Sequence, residues 1–377
     1  LHSGNFCLDG LVTTDRRPNP SYYEVKEIYA PCDVSIRNNR LVVKNKRSFT
    51  RLDGVECIYR KTQDGQTVAS GKLDVSDILA GGEKFFEVGL SGKTASGISL
   101  LDISFLEGGR EFAHRQLILS YERQPDFRKG VLRAETDGAG MLTEINGFRF
   151  PEAMGVRITR NYIDNDMKVK WQWEKLEPAE NGLLAEGYLL SDAMPPLAKM
   201  SICYEGAEDG VFIRMSAELS ERLPPLPRFG FTFVLPADFT QVQYIGRGER
   251  EAYIDRHASA PVGFYTADVR TMNHMYSKPQ ENGSHCDSKA VFIGNGEWKL
   301  GVESAQSFSF SVSPYGADDY RAHAYEMKPG KYIYLTIDYK MIGVGSNSCG
   351  PKLAEKYSLT EKEIRFDFLL TCKRTKK

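Results

Sequence analysis

The sequence predicts an all-β protein built from two antiparallel β-sandwiches in series, the second much larger than the first. Apolar and polar residues alternate with period two through most of the chain, as in Val211, Ile213 and Met215 set between Phe212, Arg214 and Ser216. Such alternation marks strands with one buried face. Turn signals such as Asp64-Gly65 and Gly81-Gly82 recur at short intervals, which is the rhythm of a sandwich rather than of strand-helix units. The pattern breaks once around Pro125 and then resumes to the end of the chain, which separates a smaller body from a larger one.

Taken in order, residues 1–31 differ from the rest of the chain. They hold a glycine-flanked loop, the breaker DRRPNP, and a short helical pattern that opens at Pro20 and puts Tyr22, Val25, Lys26 and Tyr29 on one face. From 32 to 125 the chain reads as the first sandwich, with Val55, Cys57 and Tyr59 alternating with Glu56, Ile58 and Arg60. From 126 to 377 it reads as the second. There GVLRAETDGAGMLTEINGFRF looks like opening hairpins, and four alternations are clean: Val169, Trp171 and Trp173; the Val211 set; Phe308, Phe310 and Val312 between serines; Ile364, Phe366 and Phe368. Short helical stretches near Ala317 to Glu326 are minor.

With 377 residues and 41% hydrophobic content, the chain can bury sizeable cores and reads as an ordinary soluble globular protein. The 49 basic and 50 acidic residues nearly cancel. No net field therefore favours nucleic acid or an anionic membrane, and a neutral partner such as a sugar is compatible. Seven cysteines, an odd number without a CxxC pair, argue against a disulfide framework and a zinc site and fit a reducing, cytoplasmic compartment. No apolar run of membrane-spanning length exists, and Leu1 to Asp9 lacks the regions of a signal peptide. The first residue is not methionine, which is compatible with a piece of a longer protein.

The most idiosyncratic stretch runs from Tyr244 to Ala290. Physically, Gly246 and Gly248 free the backbone ahead of Glu249 and Glu251, and Pro279 to Gly283 (PQENG) ends in Asn-Gly, a strong hairpin signal. The plain reading is two surface turns that join strands. The order and spacing also resemble the small-chain region of glycoside hydrolase family 2 β-galactosidases of the lactose-hydrolysing type, whose pattern is GPxENYxDR, then GxY, then PQENG. Gly248, Glu251, Tyr253, Asp255 and Arg256 match the first run, Gly263 and Tyr265 the second, and Pro279 to Gly283 the third. Glu249 stands where proline is usual and Ala252 where asparagine is usual. The start of the chain is similar to the exit of that family's (β/α)8 catalytic barrel, through Gly4, Phe6, Cys7, Gly10 to Val12, Asp15, Arg16, Pro18 and Pro20.

The resemblance implies a tail of the barrel at 1–31, an immunoglobulin-like linker sandwich at 32–125 and the small-chain β-supersandwich at 126–377. It also implies that both catalytic glutamates lie upstream of Leu1. The residues themselves agree. A retaining glycosidase opposes two carboxylates about 5–5.5 Å apart, whereas Glu249 with Glu251, and Asp164 with Asp166, are each two apart in sequence and not opposed across a cleft. The second pair reads as an Asx-rich turn; its run from Arg160 to Asp166 matches the family pattern RxxxDND without an assigned role. None of the six histidines stands in a nucleophile or zinc motif.

Two rim elements are expected. The family's FCxxG loop contacts cations and galactose through a backbone carbonyl, here that of Phe6, and a side-chain oxygen, here that of Asp9. Oxygen ligands of this kind suit Mg2+ and Na+ or K+. A further metal contact of the family falls at His2, where asparagine is usual. The glycine-rich loop Ile342 to Pro351 corresponds to one that presents a tryptophan to the departing sugar; Cys349 stands there, and a thiol cannot stack as an indole does. A family enzyme reconstituted with Cys349→Trp is expected to bind the leaving-group sugar more tightly.

The implied function is that of the C-terminal part of a β-galactosidase. It would buttress the barrel and shape the aglycone side while the barrel hydrolyses terminal β-D-galactosides such as lactose with retention. The partners expected are a galactoside, the upstream barrel and further subunits of a homo-oligomer, and the chain alone is expected to be inactive. The alternative, a freestanding carbohydrate-binding or assembly sandwich, has no reason to keep a piece of a barrel.

Overall fold

A computed structural model describes residues 10–90, 97–160, 169–192, 194–345 and 350–375. The chain divides into two compact units, one comprising Gly10–Arg123 with Pro261–Gly263, the other Gln124–Ala260 with Phe264–Lys377. Strands dominate both, as the alternation predicts.

The first unit is a sandwich. One sheet orders Cys32–Arg37, Arg40–Asn45 and Glu83–Phe86; the other orders Gln66–Leu73, Val55–Gln63, Gly97–Glu107 and Arg110–Glu122. Inward residues of the two sheets meet in one core, Cys32, Leu41 and Val43 from the first, Cys57, Leu101, Ile103, Phe105 and Ala113 from the second. Asp64 and Gly65 both take positive φ, 48° and 81°, and link Gln63 to Gln66 in register. A turn of this hand matches the twist of the strands it joins.

The helix at Pro20–Ile28 exists, and the face that carries Tyr22 and Tyr29 is not the one it buries. Tyr22 and Tyr29 are 40% and 80% exposed, while Glu24 and Glu27 are buried. The reason is an arginine. Arg115 donates from Nη1 to the Glu27 carboxylate at 3.0 Å and from Nη2 to the Glu27 carbonyl at 2.8 Å, and the His114 amide donates to the same carboxylate at 3.1 Å. A charge-assisted cluster outweighs the small apolar gain of two tyrosines.

The second unit contains a twelve-stranded antiparallel sheet. Its main path runs Gly155–Arg157, Arg228–Pro236, Tyr332–Met341, Trp298–Ser313, Glu363–Arg374, Gly210–Leu219, Met194–Ala207, Gly182–Ser191, Val169–Ala179. Off it, Gln241–Arg247 pairs with Val262–Asp268 and Ser284–Gly294, and the latter also pairs with Trp298–Ser313. The apolar alternates meet in one core: Ile213 and Met215, Phe229 to Phe233 by twos, Phe308 and Phe310, Ile333 to Ile337 by twos, Phe366 and Phe368.

Three local expectations change here. Ser309, Ser311 and Ser313 are buried as well as their apolar neighbours, so this strand is covered on both faces, the second one polar. Along Val169–Ala179 a register shift between Trp173 and Lys175 breaks the alternation. Trp171 stays half-buried and donates from Nε1 to the Ala139 carbonyl at 2.8 Å, whereas Trp173 is 46% exposed. The inserted residue, Glu174, follows Trp173, so it displaces the side chains from Lys175 onward and leaves Trp171 and Trp173 in one register. Asn282-Gly283 forms no hairpin: the strand starts directly after it, at Ser284. The two short helical stretches near Ala317 to Glu326 are 3-10 turns.

Candidate functional site

The polar face of the second unit's sheet is where the unusual motifs converge. In Arg228–Pro236 the phenylalanines at 229, 231 and 233 enter the core, so Arg228, Gly230 and Thr232 point the other way. Thr336 and Asp338 do the same in the neighbouring strand, and Thr232 and Thr336 share a hydroxyl contact of 3.0 Å. Arg228, fully buried, forks onto Asp338, Nε to Oδ1 at 2.9 Å and Nη2 to Oδ2 at 2.5 Å. A side chain at Gly230 would put its Cβ 2.5 Å from that Asp338 oxygen, so glycine opens the space for the pair.

Glu281, the acid of PQENG, closes this cluster from above. One of its oxygens accepts from Arg228 Nη1 and the other from Arg157 Nη2 at 2.9 Å. Burial by itself would lower the pKa of the Arg228 guanidinium; the Asp338 and Glu281 carboxylates outweigh that and raise it. Asn282 folds the run back on itself, accepting from the His274 amide at 2.8 Å and donating to the His274 and Gln280 carbonyls at 3.0 and 2.9 Å. Those side-chain bonds replace the hairpin that Asn-Gly would otherwise make. Gly283 has φ +78°, and a Cβ there would lie 2.5 Å from the Met272 carbonyl oxygen.

Glu251 is not a surface turn acid. It is buried, in contrast to the exposed Glu249. Its Oε1 accepts from Arg256 Nη2 and the Tyr276 hydroxyl, its Oε2 from the Gly283 amide at 2.9 Å and the Tyr253 hydroxyl at 3.4 Å. Burial would raise this carboxyl, but Arg256, Tyr276 and the Gly283 amide more than compensate and hold it below the ordinary carboxylate range. A general acid needs the opposite shift. Beside it, His285 Nδ1 lies 2.8 Å from the Arg247 carbonyl and therefore carries the proton. Its ring stacks on Phe310 at 5.1 Å between centroids, and burial lowers its pKa to about 4. The Tyr253 ring faces two cations, with the Arg256 guanidinium carbon 5.1 Å and that of Arg160 5.9 Å from its centre.

Asp255 connects this buried cluster to the glycine-rich loop. Tyr253 and Arg256 exchange backbone hydrogen bonds of 2.9 Å in both directions, which fixes the turn that presents Asp255. Its Oδ1 accepts from the Val344 amide at 3.0 Å and its Oδ2 from the Gly345 amide at 2.8 Å. Gly343 lies against the same carboxylate; a Cβ would come within 2.4 Å of it.

Of the residues that the sequence proposes for substrate and cation contacts, Phe6, Asp9, His2 and Cys349 all lie outside the described residues, as do Asp164 and Asp166. Among the described residues no group of three His, Cys, Asp or Glu side chains could hold a metal ion. Sequence reading missed Arg157, Arg228, Tyr276, His285 and Asp338. A signal for two of them exists: Asp338 and Arg228 are charges at polar-face positions of strands otherwise apolar enough to be buried, and such charges need a partner. Two open depressions, of about 430 and 570 Å³, meet at Phe292 and Lys299 and involve none of the motif residues.

Residues 126–370, about two thirds of the chain, match the model of the family described as beta galactosidase small chain. The chain belongs to this family. In this small-chain member, residues 41–116 of the first sandwich also match the model described as beta-galactosidase, domain 4. A β-galactosidase of Actinobacillus pleuropneumoniae is 29% identical over 98% of this chain and 42% of its own length. Those of Staphylococcus xylosus and Kluyveromyces lactis are each 26% identical over 98% of this chain, and over 43% and 40% of their own length. This small-chain member thus spans about two fifths of the length of these relatives. In it, two of the three runs read from the sequence as family motifs, the one from Gly248 to Arg256 and PQENG, supply Glu251, Arg256 and Glu281 to the polar cluster.

Proposed function

We propose that this chain is the non-catalytic C-terminal portion of a β-galactosidase, in which an upstream barrel hydrolyses terminal β-D-galactosides such as lactose with retention. The chain buttresses that barrel and shapes the leaving-group side of its active site through the loop from Ile342 to Pro351. One observation carries the reading: the carboxylates of the motif runs, with Asp338 beside them, are spent as structural acceptors. Glu281 serves two arginines, Asp338 is forked by Arg228, Glu251 takes four donors and Asp255 holds two backbone amides. A nucleophile needs an oxygen free to attack. Carboxylates whose oxygens are taken by arginines, hydroxyls and backbone amides supply none.

The test is the stereochemistry and leaving-group dependence of the enzyme that carries this chain. Proton NMR of an aryl β-galactoside digest should show β-galactose first. α-Galactose first would overturn retention, and no hydrolysis would overturn the assignment. Replacing Cys349→Trp should lower KM for lactose more than for the aryl galactoside; an equal effect on both would remove this loop from the leaving-group side.

A further inference from the structure

We infer that Asp255 is a positioning residue that sets the entry of the glycine-rich loop, and through it the discrimination between leaving groups; this inference rests on the function proposed above. The geometry is specific. A single carboxylate receives two consecutive amides, Val344 and Gly345, at 3.0 and 2.8 Å, an arrangement that fixes both the place and the direction of the chain as it leaves the strand Tyr332–Met341. The strand end is pinned separately, by the Ile342 amide on the Pro227 carbonyl and the Gly343 amide on the Tyr357 carbonyl, both 3.1 Å. Asp255 therefore governs the two residues that follow this pinned end, Val344 and Gly345.

The carboxylate is itself held from behind. The next residue, Arg256, is ion-paired to buried Glu251, and Glu251 takes the Gly283 amide at the start of the strand Ser284–Gly294. A line of bonded groups thus runs from the sheet, through Glu251, Arg256 and the Tyr253–Arg256 turn, to the loop. Gly343 and Asp255 also fit as a pair, because any side chain at 343 would overlap the carboxylate. The two motif runs and the loop, which lie far apart in sequence, are one mechanical assembly. Asp255 acts by holding backbone.

The experiment uses the complete enzyme with Asp255→Asn and, separately, Gly343→Ala, with the core variant Val312→Ala as a control for general loss of stability. Amide exchange at Val344 and Gly345 should quicken by about tenfold or more in Asp255→Asn, the factor that loss of one charge-assisted bond implies. Exchange in Tyr332–Met341 should stay as in the parent. For both loop variants kcat/KM for lactose should fall by about fivefold more than that for an aryl galactoside, equivalent to one weakened contact, and Val312→Ala should lower both alike. Unchanged exchange at the two amides would overturn the clamp. Faster exchange with equal losses on the two substrates would overturn its role in discrimination. If the parent enzyme hydrolyses neither substrate, the proposed function fails and discrimination fails with it, while the exchange result still decides the clamp by itself.

Discussion

At the scale of the residue, stability of the second unit should concentrate in a few buried charges. Arg228 and Asp338 are both fully buried, and removing Asp338 takes away the two bonds of the fork and leaves the Arg228 guanidinium with the Glu281 carboxylate. Asp338→Ala should destabilise the chain by about 3–5 kcal/mol, read as a shift in denaturant midpoint at unchanged slope. A loss below about 1 kcal/mol would show that the pair is not desolvated as described. Glu251 supplies a pH test. Its folded pKa is depressed, so its contribution is present above the unfolded carboxylate range and is lost as pH falls through the lower, folded value. The stability gap between the parent and Glu251→Gln should therefore be full at neutral pH and close in acid. His285 acts in the same direction over another window. Its pKa falls from 6.5 to about 4 on folding, so the unfolded chain binds a proton that the folded chain does not, and stability declines as pH drops between those values. His285→Gln should flatten that part of the profile. These residues were only partly legible. Glu251 and Glu281 stood out by motif, and Glu251 meets Arg256 of its own run, but the charges that Glu281 meets are Arg157 and Arg228, some fifty to one hundred and twenty positions away. Such pairings follow from strand order, which no local pattern encodes.

At the scale of the element, turns and strands were read well where backbone chemistry is local. Asp64-Gly65 was legible because a two-residue link of this type demands positive φ; Asn38-Asn39, with φ 51° and 58°, makes the same kind of link between Arg37 and Arg40 from a less distinctive pair. Gly65→Ala should cost about 1 kcal/mol in thermal or denaturant unfolding, since φ +81° strains any side chain; no loss would mean that the turn relaxes. Trp173 keeps the register of Trp171, so periodicity puts the two on one face, but how far each is covered is not written in periodicity. Exposed as it is, Trp173→Thr should shift stability by less than about 0.5 kcal/mol, whereas Trp171→Phe should lose about 1 kcal/mol with its bond to Ala139. Equal effects at the two positions would contradict the difference in their burial. The helix at Pro20–Ile28 teaches the complementary lesson: its extent was legible from Pro20, yet its buried face was chosen by Arg115, which belongs to a strand about ninety residues later.

At the scale of the whole molecule, the two sandwiches were evident from the alternation and its break at Pro125, and the family emerged from runs that prove to be structural joints. Motif residues need not be chemical ones. Here the carboxylates that a glycosidase reading would first inspect, Glu251 and Glu281, are ion-paired to arginines, and the residues proposed to face substrate, Asp9 and Cys349, lie outside the described residues. The claim that unites these observations is that the chain completes an active site without furnishing its catalytic carboxylates. Hydrolysis of a chromogenic β-galactoside by the purified chain, alone and then mixed with the upstream barrel segment, tests it most directly. The account predicts no hydrolysis by the chain alone and hydrolysis by the mixture. Turnover by the chain alone, abolished by Glu251→Gln or Glu281→Gln in a folded variant, would contradict it.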